Sequence, residues 1–265
     1  MRKKLFVITH PDISSNILEV LNLSHDFVMK VEEADEILVL GGDGTLLHAV
    51  RSHYQYEKPF IGFHYGTVPF SVGFMMNKPE YLHEYLEDKV KEMIFRMLQV
   101  RMFDGEGNFI EERYAFGDAY FKSASYMEDD FDRICFLRIS IDGKIRANPL
   151  SGDGAVVATP IGSTAYSGSA GGGIVPLDYD RATLTAICPQ LYIPWHSVPL
   201  SKNEIVTMEA LEFEKRPAKF MVDGKRVRGV VKAEIGLSEK TMTLIFTESQ
   251  DHREKELRLA FRRTL

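Results

Sequence analysis

The chain is poor in cysteine, tryptophan and uninterrupted apolar sequence, and each shortage removes a class of protein. Of 265 residues, two are cysteine and one is tryptophan. Cys135 and Cys188 stand far apart with no C-x-x-C spacing, which argues against a zinc site, a redox pair or a disulfide framework and for a reduced, cytoplasmic setting. No apolar run is long enough to span a bilayer. The opening Met-Arg-Lys-Lys-Leu-Phe-Val-Ile has the charged head of a signal peptide, but its apolar stretch stops at Thr9-His10-Pro11-Asp12 and reads better as a first strand. Positive charge is not in excess either. A net charge of −6 offers no general attraction to nucleic acid or to an anionic membrane surface. The scattered histidines His10, His48, His53 and His64 form no H-x-x-x-H pair on an expected helix, so they do not suggest a metal site.

What is present is enough apolar sequence for two cores, at 45% of the chain. In the first hundred residues strand-like and helix-like patterns alternate. Leu5 to Ile8, Glu36 to Leu40 and Phe60 to Phe63 read as strands, Ser14 to Leu21 and Leu46 to His53 as helices. A further helix is expected from Pro79 through Tyr81, Leu82, Tyr85, Leu86 and Val90. That alternation predicts a parallel sheet flanked by helices. After about residue 98 the period becomes two. Arg138 to Asp142, Lys219 to Val222, Val231 to Ile235 and Thr241 to Phe246 alternate, and Asp142-Gly143 and Asp223-Gly224 are hairpin turn signals. The fold expected is an α/β N-terminal domain over 1–98, a C-terminal all-β, antiparallel, sandwich-like domain over 99–250, and a segment 251–265 that packs back on the first domain. Glu128, Asp129, Asp130 and Asp132 read as a solvated hairpin tip, and Trp195 with Pro194 and Pro199 as packing at a strand edge.

Two segments carry chemistry. Leu38-Val-Leu-Gly-Gly-Asp-Gly-Thr-Leu-Leu47 is a buried strand that breaks into Gly41, Gly42 and Gly44 around Asp43 and resumes as a helix. Glycines let a polyphosphate approach the backbone N–H groups, and the helix aims its positive end the same way. A carboxylate beside such an anion makes sense if a metal bridges the two, or if the carboxylate takes a proton from a nucleophile attacking phosphorus. The plain alternative is a tight turn in which Asp43 caps the helix. The second segment, from Ser151-Gly-Asp-Gly through Ser163-Thr-Ala-Tyr-Ser to Gly171-Gly-Gly173, frames a strand with loops rich in glycine and hydroxyl groups. Ordering so much glycine is entropically costly, which favours a ligand over an idle surface loop.

Together, in this order and separation, G-G-D-G-T-L-L and G-D-G-A-V-V-A-T-P-I-G-S-T-A-Y-S-G-S-A-G-G closely resemble the two motifs of the NAD kinase family. The first also occurs in diacylglycerol- and sphingosine-type lipid kinases; the second is the specific one. The resemblance implies that Asp43 accepts the proton of the 2′-hydroxyl of the adenosine ribose as that oxygen attacks the γ-phosphate of ATP. It also implies that Gly41, Gly42, Gly44, Thr45, Phe74, Gly117, Asp118, Asp153, Thr159, Ser163, Thr164, Ala165, Tyr166 and Ser169 hold the nucleotides. Thr164 and Ser169 bring hydroxyl groups, Tyr166 an aromatic face and Ala165 room for close approach. ATP and magnesium are the implied cofactors, NAD the acceptor, and a homodimer or homotetramer the implied assembly. No direct protein ligand to the metal is expected.

Three departures from the family pattern stand out. The usual Asn-Glu pair is replaced by Gly117-Asp118, one methylene shorter and without the amide. The Gly-x-x-Gly-Phe turn is expanded to Gly66-Thr-Val-Pro-Phe-Ser-Val-Gly-Phe74, and Ser151 stands where a basic residue often precedes Gly-Asp-Gly. These departures motivate two rivals to an NAD kinase: a related kinase for a lipid or nucleoside hydroxyl, and a non-catalytic dinucleotide-binding regulator.

Overall fold

A computed structural model describes residues 2–10, 16–65, 75–76, 79–124, 133–190 and 196–261. The elements begin with β1 (Lys4–Thr9), α1 (Asn16–Ser24), β2 (Asp26–Val28), β3 (Glu36–Gly41), α2 (Asp43–His53), β4 (Phe60–His64), β5 (Met75–Met76) and α3 (Pro79–Leu86). They continue with β6 (Val90–Phe103), β7 (Phe109–Ala115), β8 (Asp118–Ser123), β9 (Cys135–Ile141), β10 (Lys144–Gly152), β11 (Gly154–Ala158) and the short α4 (Tyr166–Ser169). Last come β12 (Thr183–Ile187), β13 (Ser197–Pro199), β14 (Val206–Leu211), β15 (Ala218–Val222), β16 (Lys225–Val227), β17 (Lys232–Thr247) and α5 (His252–Phe261). The chain divides into two compact units, Met1–Phe95 with Thr241–Leu265, and Arg96–Lys240.

The first unit is built on parallel strands. β1 pairs with β2 and β3, β3 with β4, and β4 with β5 and with Leu244 and Ile245 of β17, all in parallel. Every residue of β3 and of β4 is buried. A strand covered on both faces has no need of alternation, so Glu36-Ile-Leu-Val-Leu reads as a continuous run. Glu36 is the polar exception, and it is satisfied: the Tyr85 hydroxyl donates to its Oε2 at 2.7 Å and Lys3 Nζ lies 2.7 Å from Oε1. This seats α3 against the start of β3. Burial first, and then the charge of Glu36, push the Tyr85 phenol above its ordinary range, so it stays a donor.

The helix expected from Pro79 to Val90 is shorter than the sequence pattern suggests. It ends at Leu86, and Val90 opens β6. Asp88 adopts φ 59°, its N–H reaches Tyr85 O at 3.1 Å, and the Lys89 N–H reaches Glu84 O at 2.9 Å. That is a left-handed C-terminal cap with aspartate in the place of glycine, which the apolar spacing does not reveal. The chain from Thr241 onwards returns to this unit. The Glu248 N–H donates to Lys89 O at 3.1 Å, Lys91 Nζ to Gln250 O at 3.2 Å, and the His252 ring of α5 meets Phe246 edge-on at 4.2 Å.

The second unit is antiparallel. One sheet runs β13-β12-β11-β8-β15-β16. A second set joins β10, β9, β14 and the start of β17. β9 alternates strictly, with Cys135, Leu137, Ile139 and Ile141 buried between partly exposed neighbours. Those residues share one core with Ala119 and Phe121 of β8, Met208 of β14 and Phe220 of β15, which makes the unit a sandwich. The Phe121 and Phe220 rings lie 4.7 Å apart at its centre. Fully burying one such side chain contributes about 1.5–3 kcal/mol. Asp142-Gly143 and Asp223-Gly224 turn their hairpins with φ 50° and 73°, and 45° and 72°. Positive φ at both positions is the geometry that matches strand twist, and it explains the Asp-Gly pairs. No helix among the described residues is long and apolar enough to cross a membrane.

Candidate active site

In the first unit the strand order β2-β1-β3-β4 places the point where the connections reverse between β1 and β3. Open sheets of this kind bind ligands outside the carboxyl ends of the strands at that point. Gly41 ends β3 there, Gly42 is extended (φ −95°, ψ −178°), and Asp43 is the first residue of α2. The Gly42 carbonyl accepts the N–H groups of Thr45 and Leu46 at 2.9 and 3.2 Å, and the Gly41 carbonyl accepts that of Tyr65 at 2.9 Å. The glycines differ in what they do. A Cβ on Gly41 would meet Thr45 Cβ at 2.6 Å, whereas one on Gly42 or Gly44 would meet nothing within 4 Å among the described residues. Gly41 is thus demanded by packing, while Gly42 and Gly44 leave open space beside Asp43. A carboxylate in the first turn of a helix is favoured by the helix dipole, and the amides of the same turn favour an anion.

Gly44→Ala should keep or slightly raise thermal stability, because alanine is the better helix former by roughly 0.5–1 kcal/mol. Its new methyl group enters the open side, so the KM for a nucleoside triphosphate should rise by about tenfold, equivalent to ~1.4 kcal/mol. Melting curves and steady-state kinetics on the same preparation check both halves.

In the second unit the segment Phe116-Gly117-Asp118 is clamped from two sides. Asp223, in the turn after β15, accepts the N–H groups of Phe116 at 2.8 Å, Gly117 at 2.8 Å and Asp118 at 3.1 Å. Thr159 Oγ1 donates toward the carbonyls of Phe116 at 2.6 Å and Gly117 at 3.2 Å, and its N–H reaches Gly117 O at 2.9 Å. The loop after β11 then packs on Gly117 so closely that a Cβ on Gly162 would lie 2.1 Å from the Gly117 carbonyl. Ser163 and Thr164 are buried there and donate their hydroxyl protons to Pro160 O at 2.7 Å and Ile161 O at 3.1 Å. These two hydroxyl groups build the loop. Ser169 is exposed and donates to Ala165 O at 3.1 Å.

The outer face of the same sheet carries an aromatic pair. Tyr120, two residues after Asp118 on β8, meets Tyr166 with ring centroids 4.7 Å apart, over Val156 and Ala158 of β11. Asp153 lies between β10 and β11; its N–H reaches Ile187 O at 3.0 Å and its carbonyl accepts the Ser123 N–H at 2.7 Å. Cys188, held at φ 43°, has its thiol pushed up by burial first and then by the charge of Asp153. Burial and then Asp118 and Tyr166 push the Tyr120 phenol up to about 12. Asp118 itself is pushed to about 8, by burial first and then by the charge of Asp223.

Residues 9–94 match the family model described as the ATP-NAD kinase N-terminal domain, and residues 123–235 match that of the ATP-NAD kinase C-terminal domain. The chain belongs to the NAD kinase family. An NAD kinase of Brucella suis is 33% identical over 258 residues, covering 94% of this chain and 96% of its own. That of Rickettsia prowazekii is 31% identical over 225 residues, with 83% of each chain covered. In fold the chain is similar to an NAD kinase from Archaeoglobus fulgidus solved in complex with ATP, with a TM-score of 0.72, 22% identity, and 98% and 99% of the two chains covered. Yeast NADH kinase complexed with NADH is similar too, with a TM-score of 0.76, 18% identity, and 97% and 86% covered.

Within this NAD kinase fold the expected site residues fall into two groups: Gly41 to Thr45 in the first unit, and Gly117, Asp118, Asp153, Thr159 and Ser163 to Ser169 in the second. Phe74 with the rest of the Gly66 to Phe74 loop, the acidic patch from Glu128 to Asp132, and Trp195 with Pro194 lie outside the described residues. Three residues at the second group escaped sequence reasoning. Asp223 was legible only as a turn residue, although an aspartate at a buried hairpin is well placed to collect backbone N–H groups. Tyr120 shares a face with Asp118 by the period of two. Cys188 carried no signal.

Proposed function

We propose that Asp43 is the general base of an NAD kinase that transfers the γ-phosphoryl group of ATP to the 2′-hydroxyl of the adenosine ribose of NAD, giving NADP and ADP. The observation that carries this reading is the Asp43 carboxylate at the head of α2, flanked by the open positions Gly42 and Gly44. In the reaction the ribose hydroxyl gives its proton to the Asp43 carboxylate, its oxygen forms the bond to phosphorus, and the bond to the β,γ-bridging oxygen breaks. The α2 N-terminus faces the negative charge that gathers on the phosphates.

The second group of residues supplies recognition. The faces of Tyr120 and Tyr166 suit a base, small Ala165 allows close approach, and Asp118 and Asp153 offer hydrogen-bonding groups to the sugar and its neighbours. Magnesium is the divalent ion of this reading and draws charge from the transferring phosphoryl group when bound. The ion would be carried mainly by phosphate oxygens, as magnesium usually is with nucleotide substrates, with no direct protein ligand required. The protein is read as a cytoplasmic homodimer or homotetramer. Its free thiols suit a reducing compartment, and the exposed Leu23, Phe27 and Met29 beside the edge strand β2 suit subunit contact.

Purified protein incubated with ATP, magnesium and NAD should form NADP, measured with an NADP-specific dehydrogenase. Tight NAD binding with no NADP formed would favour a regulator instead. Neither binding nor product would favour a kinase for another hydroxyl.

A further inference from the structure

We propose that Asp118 meets the dinucleotide as a neutral carboxyl group, donating a hydrogen bond to an acceptor atom of the substrate, and that Asp223 is the positioning residue that keeps it neutral. This rests on the kinase reading above and concerns how the second unit recognises NAD.

The geometry is a competition for donors. Two carboxyl groups meet where β8 begins, Asp118 on the strand and Asp223 from the turn after β15, and the N–H groups of Phe116, Gly117 and Asp118 serve Asp223. Asp223 collects the amides of Phe116, Gly117 and Asp118 at 2.8, 2.8 and 3.1 Å, and is 4% exposed. Three such bonds hold a carboxylate in its charged form. Asp118 is 8% exposed, and among the described residues neither a hydrogen bond nor a basic side chain lowers its proton affinity. Thr159, next along the chain from the Ala158 that pairs with Asp118, spends its hydroxyl proton on the carbonyls of Phe116 and Gly117.

The titratable groups around Asp118 reinforce this. Asp223 faces it from the turn after β15, Tyr120 from its own strand, and Tyr166 from α4; both phenols are raised by burial first, Tyr120 next by Asp118 and Tyr166 next by Asp153, so they stay neutral and offer Asp118 no positive charge. A buried acid beside a fixed negative charge keeps its proton, here to about 8. The consequence is chemical. A carboxylate only accepts hydrogen bonds, whereas a carboxyl group also donates one, and it adds no repulsion toward the pyrophosphate of a dinucleotide. Gly117 has no side chain to donate from, so the donor at this position is the acid of Asp118 itself.

Infrared difference spectroscopy of wild type against Asp118→Asn, in the absence of nucleotide, reads the protonation directly. At neutral pH the wild type should show the carbonyl stretch of a protonated carboxyl group, and that band should disappear near pH 8. Asp223→Asn removes the neighbouring charge and should move the loss of the band to lower pH, a shift that a merely structural role for Asp223 would not produce. In steady-state kinetics the wild-type KM for NAD should rise above pH 8, while Asp118→Leu, which lacks a donor, has a raised and pH-independent KM. Near pH 9 Asp118→Asn, whose amide still donates, should have a KM below the wild-type value by about tenfold, as expected one unit past the pKa. No carboxyl band at neutral pH, or an Asp118→Asn KM above wild type near pH 9, would overturn the proposal. The spectra need no substrate, so failure of the wild type to make NADP strikes the kinase reading alone.

Discussion

Replacing Asp43 by asparagine should lower kcat by about 10² to 10⁴-fold, the usual worth of a positioned general base. The side chain keeps its size and its place in the first turn of α2, so the loss isolates the proton acceptor. Stability should change little. Losing a negative charge at a helix N-terminus costs roughly 0.3–1 kcal/mol, small against a catalytic effect of this size. The decisive comparison is turnover against melting temperature in one preparation. A variant that melts like wild type and turns over like wild type would remove Asp43 from the mechanism and leave it a first-turn carboxylate that only complements the helix dipole.

The largest stability effect is expected at Asp223. Asp223→Ala strips the acceptor from three buried backbone N–H groups at once, those of Phe116, Gly117 and Asp118. Each orphaned donor costs on the order of 1–3 kcal/mol, so a total of about 3–5 kcal/mol is expected after partial relaxation. Urea denaturation measures it. Asp223→Asn keeps one acceptor oxygen and should recover part of the loss, which separates the hydrogen bonds from the turn itself, since asparagine tolerates the φ of 45° as well as aspartate does. A loss below about 0.5 kcal/mol for the alanine variant, the usual range for ordinary surface changes, would mean that water replaces the carboxylate.

An element is legible in the sequence where a single physical rule dominates it. Glu36 to Gly41 is buried on both faces, so its apolar run admits one interpretation. The two Asp-Gly turns require positive φ and declare themselves. The end of α3 was not legible, because the left-handed cap at Asp88 uses a residue that apolar spacing ignores. Neither was the fate of β17. Its alternation runs on from Lys232 to Thr247, yet Val206 to Glu209 pair with its first residues, while Phe60 and Ile61 pair with Leu244 and Ile245 in the other unit. Alternation reports that a strand is half-buried and says nothing about which core buries it.

The site divides along the same line. Motif chemistry is local in sequence: the glycines, Asp43 and the hydroxyl-rich loop could be singled out because their neighbours along the chain carry the signal. The tertiary structure decided which of them face outward. It turned Ser163 and Thr164 into internal struts, left Gly42 and Gly44 open, and set Tyr120 against Tyr166. Most of all it brought Asp223 to Asp118, two carboxyl groups more than a hundred residues apart, and burial together with that neighbour raises the proton affinity of Asp118. Residue type and spacing determined the fold class and the chemistry on offer. Protonation and accessibility depend on distance and desolvation, and those exist only once the strands have paired.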